Sequence, residues 1–308
     1  MSNVVEARML SKWYGQVIGL NNFSIDVPKG ITGIVGPNGA GKSTFFKLLT
    51  GNIKTNVGHL RVLGEEPWQN PSLLAKIGFC PDYDFLLPDL NGREYLRFVA
   101  GLHGMEGLRT VDRVNEVLSI VTMAKDADRA MGGYSKGMRQ RIKIAGALLH
   151  DPELLLLDEP LTGTDPLIRK EIIDLVKDLN KVHGHDVIVS SHVLHEIERM
   201  THQVALIYKG RSVASGDISE IRRLMSDHPH NIVLEGRGLV PLAQTLLTKP
   251  YTSSIELRPD RLGMFVRVDR PEEFFDALPE LVAGTGAELE RVESLDDDLE
   301  SVFRYLVG

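Results

Sequence analysis

Gly36-Pro37-Asn38-Gly39-Ala40-Gly41-Lys42-Ser43-Thr44 is a complete Gly-x-x-x-x-Gly-Lys-Ser stretch, set between Ile31-Thr32-Gly33-Ile34-Val35 and Phe45-Phe46-Lys47-Leu48-Leu49. The first flank is short, β-branched and apolar, as a buried strand is; the second is helix-compatible as far as Gly51. Strand, glycine loop and helix in that order are the context a phosphate-binding loop requires. Gly36, Gly39 and Gly41 allow positive φ and close backbone approach, so successive N–H groups and the helix N-terminus face an anion. Lys42 then supplies a point charge to the β and γ phosphates, and Ser43 offers its hydroxyl to the Mg²⁺ that accompanies them. A nucleoside triphosphate site is the expectation; a glycine-rich turn before an ordinary helix is the competing explanation.

Leu154-Leu155-Leu156-Leu157-Asp158-Glu159 is an apolar run ending in two carboxylates. It fits a buried parallel strand that delivers acids to the C-terminal edge of a sheet. There Asp158 orients the Mg²⁺ shell, directly or through water. Glu159, next in line and turned the other way by strand alternation, is placed to polarise an attacking water. By itself such a run is more often a core strand ending at the surface, and its weight comes from its pairing with the phosphate loop.

Between these two lies Met131-Gly132-Gly133-Tyr134-Ser135-Lys136-Gly137-Met138-Arg139-Gln140, followed by a helix-like stretch to His150. Tyr134 to Gln140 resembles the signature of the ATP-binding cassette (ABC) family, Leu-Ser-Gly-Gly-Gln ahead of a helix, with departures at Lys136 and Met138. The resemblance extends over residues 4–216 in family order. Tyr14 resembles the aromatic residue that stacks on adenine, although alone it would read as a strand-end aromatic. Asp165 in Thr162-Gly163-Thr164-Asp165 matches the D-loop, and His192 in Ser190-Ser191-His192 matches the switch histidine that holds the γ-phosphate. The resemblance implies ATP and Mg²⁺ as cofactors and an ATPase subunit powering transport, with export the expected direction, through a separate transmembrane permease. It implies a homodimer in which ATP lies between Lys42 and Ser43 of one copy and Ser135, Lys136, Gly137 and Met138 of the other. Its place would be the cytoplasmic face of the membrane, as a peripheral subunit.

Ile77-Gly78-Phe79-Cys80-Pro81-Asp82 resembles the segment in which that family carries a Gln near Mg²⁺; here the position is Asp82. A carboxylate there tightens metal binding and repels Asp158 and Glu159 when the metal leaves. A solvated loop acid is the other reading of Asp82. His192 and His195 on one helical face, and the alternating His183 and His185, lack the Cys or acidic companions of a metal site. No Gly-x-Ser-x-Gly elbow supports a Ser-His hydrolase. Cys80, the single cysteine, forms no internal disulfide and reads as a small buried apolar residue.

The 308 residues suffice for two units. The N-terminus lacks the basic then apolar pattern of a signal peptide, and no apolar run approaches the roughly 18 residues of a membrane span. A net charge of −7 argues against broad nucleic-acid affinity. That charge is uneven: residues 217–308 carry 10 Lys plus Arg against 18 Asp plus Glu, whereas residues 1–216 carry 25 against 24. A boundary is therefore expected at Ser215-Gly216-Asp217, read as a turn that opens a linker helix through Met225, with Asp227-His228-Pro229-His230 breaking it.

Beyond it, strands at 231–237, 253–258, 264–268 and 288–292 and helices at 239–248 and 272–282 give a β-α-β-β-α-β order, a ferredoxin-like split βαβ module. Ser294-Leu295-Asp296-Asp297 reads as a capping box for a last helix. Residues 84–150 fit the family's helical subdomain, in which Arg93, Glu94 and Tyr95 are candidate exposed contacts for the membrane partner. The expected fold is thus α/β, a phosphate-loop NTPase core of ABC type with a helical subdomain, plus a small α+β C-terminal domain. A soluble ABC-type ATPase acting on nucleic acid or ribosomes is the alternative function; a single phosphate loop and no basic patch count against it.

Overall fold

The computed structural model describes residues 3–84, 87–221 and 230–295, and the chain divides into two compact units, Met1–Asp217 and Ile218–Gly308. The first unit runs β1 (Asn3–Tyr14), β2 (Val17–Pro28), β3 (Ile31–Val35), α1 (Lys42–Leu49), β4 (Val57–Val62), α2 (Pro71–Leu74) and β5 (Ile77–Cys80). It continues through α3 (Gly92–Leu102), α4 (Leu108–Ile120), α5 (Lys136–Leu148), β6 (Leu154–Leu157), α6 (Pro166–Lys181), β7 (Asp186–Ser191), α7 (Leu194–Glu198), β8 (Gln203–Tyr208) and β9 (Arg211–Asp217).

The main sheet has the order β5-β6-β7-β3-β8-β9, parallel from β5 to β8 and closed by an antiparallel β9. β3 and β6 are buried along their whole length, which is why they read as unbroken apolar runs: both faces of a parallel sheet are covered. β7 lies between β6 and β3. The segments leaving these three strands, the glycine loop, Asp158-Glu159 and His192, therefore emerge side by side at one sheet edge.

A second, antiparallel sheet of order β2-β1-β4 shares a core with the first through α1. Phe45 and Phe46 are fully buried and pack with Phe23, Leu20 and Ile34; the Phe23 and Phe45 rings are 4.9 Å apart. Burying a side chain of this size is worth about 1.5–3 kcal/mol. The helix that carries the phosphate loop is thus seated by its own apolar underside.

Within the helical subdomain, α3 begins in a reciprocal capping box between Asn91 and Glu94, worth about 1 kcal/mol. Of the three candidate exposed contacts, Glu94 is exposed and Arg93 partly so, and only Tyr95 is corrected. Glu94 is used for the cap, Arg93 is bound to Asp128 at 2.8 Å, and Tyr95 is buried because α3 turns it toward the interior. The helix expected to reach His150 stops at Leu148. Ser215-Gly216-Asp217 is not a turn but the end of β9, held by pairing with β8.

The second unit comprises β10 (His230–Arg237), α8 (Leu239–Leu246), β11 (Thr252–Leu257), β12 (Gly263–Val268), α9 (Pro271–Thr285) and β13 (Glu288–Ser294). Its sheet has the order β11-β12-β10-β13 with every pairing antiparallel. Ile232, Leu234, Val266, Leu242, Leu246 and Phe274 belong to its own core, the strand residues alternating in and out with period two. Residues 218–221 are helical. The rest of the expected linker helix, the break at 227–229 and the last helix after Ser294-Leu295 lie outside the described residues.

Candidate active site

Gly39 and Gly41 take φ of 79° and 113°, a region a β-carbon disfavours, and fold the loop over the start of α1. No side chain caps that helix, so its first-turn amides are left to an anion entering the loop. Lys42, only 6% exposed, turns back beneath the loop. Its Nζ donates to the Gly36 carbonyl at 2.6 Å and the Pro37 carbonyl at 3.2 Å, and pairs with Glu159 Oε1 at 3.0 Å.

β6 presents Asp158, which is 3% exposed. Ser190 of the adjacent β7 locks it in place: Ser190 Oγ donates to Asp158 Oδ1 at 2.5 Å and accepts from the Glu159 amide at 2.8 Å. Burial pushes the Asp158 carboxyl above its usual range; hydroxyls of Ser190 and Ser43 pull it down, and the charges of Asp82 and Glu159 push it up again. Ser190 was not singled out from the sequence, although it stands in the Ser-Ser-His stretch, because the strand pairing that aims it is non-local.

Glu159 does not continue the strand, contrary to the expectation from alternation. Its φ of 49° is a left-handed turn uncommon outside glycine, and it brings the carboxylate back over the phosphate loop. Oε1 meets Lys42, while Oε2 accepts from Thr162 Oγ1 at 2.9 Å and lies 2.9 Å from His192 Nδ1. Burial works to raise the Glu159 carboxyl, but the charge of Lys42 and the hydrogen bonds of His192, Lys42 and Thr162 outweigh it and hold the group below the ordinary range. His192 itself sits in the bend before α7, so it shares no helical face with His195.

The ABC transporter family model matches residues 20–162. The chain is 32% identical over 311 residues to the Nod factor export ATP-binding protein I of Cupriavidus metallidurans, covering 100% of this chain and 98% of that protein. The chain belongs to the ATP-binding subunits of ABC transporters. It is also similar to the bacitracin transport ATP-binding protein BcrA of Enterococcus faecalis, 30% identical over 314 residues with 100% and 97% coverage. The daunorubicin/doxorubicin resistance ATP-binding protein DrrA of Streptomyces peucetius is 29% identical over 309 residues, with 100% and 93% coverage. A solved ATP-binding subunit of an ABC transporter matches with a TM-score of 0.63 at 27% identity over 72% of this chain and 93% of that one. A nucleotide-free ATP-binding cassette, at 23% identity and a TM-score of 0.65 over 73% and 96%, agrees in fold.

This ABC ATP-binding subunit places the remaining motif residues as follows. Tyr14 ends β1; its ring and Thr44, the last residue of the phosphate loop, both border Gly19, where a β-carbon would lie 2.9 Å from Tyr14 Cε2 and 2.8 Å from Thr44 Oγ1. Ser135 caps α5, accepting from the Met138 amide at 3.2 Å, and is exposed, as is Lys136. Gly137 is instead buried beneath Ile168: a β-carbon there would lie 2.4 Å from its Cγ2. Asp165 caps α6, accepting from the amides of Leu167 and Ile168 at 3.1 and 3.0 Å.

A cavity of about 380 Å³ is lined by Asn38, Asp82, Lys136, Glu159, Thr162 and His192. It brings together residues from five separate stretches of the chain, the exposed Asp82 among them. Another cavity, of about 280 Å³, is lined by His59 and Arg61 of β4 together with Trp68 beyond it and holds none of the motif residues. Among the described residues no three His, Cys, Asp or Glu side chains converge as a self-sufficient metal site. The Ser43, Asp82 and Asp158 oxygens are hard donors with excess negative charge, which suits a divalent cation that takes its remaining ligands from phosphate and water. Cys80 is fully buried, and burial pushes its thiol up to about 12.

Proposed function

We propose that this ATPase subunit works as a head-to-tail pair of copies on a separate transmembrane permease at the cytoplasmic face of the membrane, and that the transport it drives is export. The convergence of Lys42, Glu159 and His192 over the glycine loop carries the catalytic half of this reading. The names of the full-length relatives, Nod factor export and drug resistance among them, support the direction. Exposed Ser135 and Lys136 support a second copy closing over the loop. None of these relatives is named for nucleic acid or ribosomes, so the alternative has no observation in its favour.

Bound Mg²⁺ would neutralise charge on the phosphates and draw on Ser43, Asp158 and Asp82. Lys42 cannot serve a phosphate and Glu159 equally. As Lys42 turns to the phosphate, Glu159 loses the largest attraction holding its affinity for protons down and becomes a better acceptor for the proton of the attacking water. His192, hydrogen-bonded to the same carboxylate, orients it and, from the cavity it lines, would hold the γ-phosphate. Tyr14 supplies an aromatic face for the base beside Thr44, and Asp165 shapes the loop toward the second copy.

Two expected results follow. Asp82→Gln removes one carboxylate from beside Asp158, so the Mg²⁺ concentration for half-maximal ATPase rises several-fold while metal-free ATP binding is unchanged or tighter. An unchanged Mg²⁺ titration would return Asp82 to the role of a loop acid. A chain ending at Met225 retains all motif residues and the core of the first unit, so its ATP affinity by calorimetry matches that of the full chain; altered self-association by light scattering is where loss of the acidic module is expected. We read that module, from its element order, as ferredoxin-like. A folded truncated chain without ATP binding contradicts the division of labour.

A further inference from the structure

The signature helix carries more than the cap at Ser135. Three of its side chains reach back to one short segment, Cys80 to Asp84. Gln140 Nε2 lies 3.3 Å from Cys80 Sγ, and Arg139 Nε donates to Asp84 Oδ2 at 3.0 Å. Lys143 makes the densest set: its Nζ donates to the carbonyls of Pro81, Asp82 and Tyr83 at 2.9, 3.4 and 3.1 Å and lies 3.4 Å from Asp84 Oδ1. Arg139 and Lys143 are four residues apart and Gln140 and Lys143 three, so all share one helix face.

The Lys143 side chain is 1% exposed. An ammonium group so deeply buried costs several kcal/mol unless its donors are met, and a core position on a helix is filled at lower cost by an aliphatic residue. Its three donors are spent on consecutive carbonyls of a segment with no helix or strand of its own beyond Cys80. That segment holds Asp82, whose charge acts on Asp158, and the same cavity is bordered by Asp84, Gln140 and Lys143.

We propose that Lys143 is a positioning residue for ATP hydrolysis: from the signature helix it pins the 81–84 backbone so that Asp82 stays beside Asp158, and thereby sets the metal requirement of the site. The inference rests on the reading of Asp82 as a metal-side carboxylate. Lys143 touches neither nucleotide nor metal. Its action is through the backbone it holds.

The test uses the full chain as wild type, Lys143→Met, Asp82→Gln and the double variant. Methionine keeps the volume and the helix, and Asp84 keeps Arg139, so no buried carboxylate is stranded. ATPase rate is titrated against Mg²⁺, and backbone hydrogen–deuterium exchange of residues 81–84 is followed without nucleotide or metal. Lys143→Met is expected to raise the Mg²⁺ needed for half-maximal rate several-fold, by no more than Asp82→Gln does, as loss of a group that orients a metal ligand should, and to exchange faster at 81–84. In the double variant the Mg²⁺ requirement should not exceed that of the worse single variant, because both act through one carboxylate. If Asp82→Gln shifts the titration and Lys143→Met does not, the role of Lys143 is overturned and that of Asp82 stands. If Asp82→Gln leaves the titration unchanged, the Asp82 reading fails and the inference falls with it. Additive shifts in the double variant overturn the coupling. Should Lys143→Met not fold by circular dichroism, Lys143→Gln, which keeps an amide donor for the carbonyls, is read in the same assays; a wild-type Mg²⁺ requirement in that variant despite faster exchange at 81–84 overturns the proposal.

Discussion

Glu159→Gln is expected to lower steady-state ATP turnover by about 10²–10⁴-fold, the usual contribution of a positioned general base, with ATP affinity kept or raised. The amide is nearly the same shape and can still accept from Thr162, so the left-handed turn at residue 159 and the bond from its amide to Ser190 are undisturbed. What disappears is the negative charge. Lys42, whose ammonium is paired with Glu159 at 3.0 Å, is then released to the phosphates, which is why affinity does not fall with rate. Phosphate release measures turnover, and size exclusion with ATP should show the paired form accumulating, since closure occurs without the step that undoes it. Turnover at the wild-type rate would remove Glu159 from the role of base.

Lys42→Ala is expected to weaken ATP binding itself, by about 10–100-fold or more, since a hydrogen bond to a charged partner contributes about 1.5–3 kcal/mol. The loss extends to Glu159. Its carboxyl is held low against burial chiefly by Lys42, so in the variant its affinity for protons rises while His192 and Thr162 remain as partners. In wild type, a carboxyl depressed on folding contributes stability that is present above its unfolded pKa and is lost as pH falls through the folded one. That contribution shrinks in Lys42→Ala, so the difference in thermal stability between the two proteins should be larger at neutral pH than in acid. Calorimetric ATP affinity equal to wild type would contradict the placement of Lys42 at the phosphates.

Several elements were legible because their signals are local. The glycine loop, the Leu154–Leu157 strand and the six elements of the C-terminal module each announce themselves within about ten residues, through positive-φ requirements or period-two and period-3.6 patterning. Boundaries were less so. The end of β9 at Asp217 looks like a turn because Ser-Gly-Asp is turn chemistry, yet pairing to β8 holds it extended. Tyr95 looks available beside charged Arg93 and Glu94, yet it is buried, since which face of a helix meets a neighbour is decided by the packing of the neighbour.

The site divides along the same line. Amino-acid order alone determined that a phosphate cradle, a strand ending in two acids, a signature-like helix start and a switch-like histidine exist in one chain, because each is a contiguous stretch whose backbone needs are written in its own residue types. Only the tertiary structure decided that Glu159 leaves the strand to pair with Lys42 and His192, that Ser190 fastens Asp158, and that Lys143 grips carbonyls 60–62 residues away. Those are contacts between segments distant in sequence, created when parallel strands β3, β7 and β6 bring their ends to one edge, and no local periodicity encodes which side chains meet there.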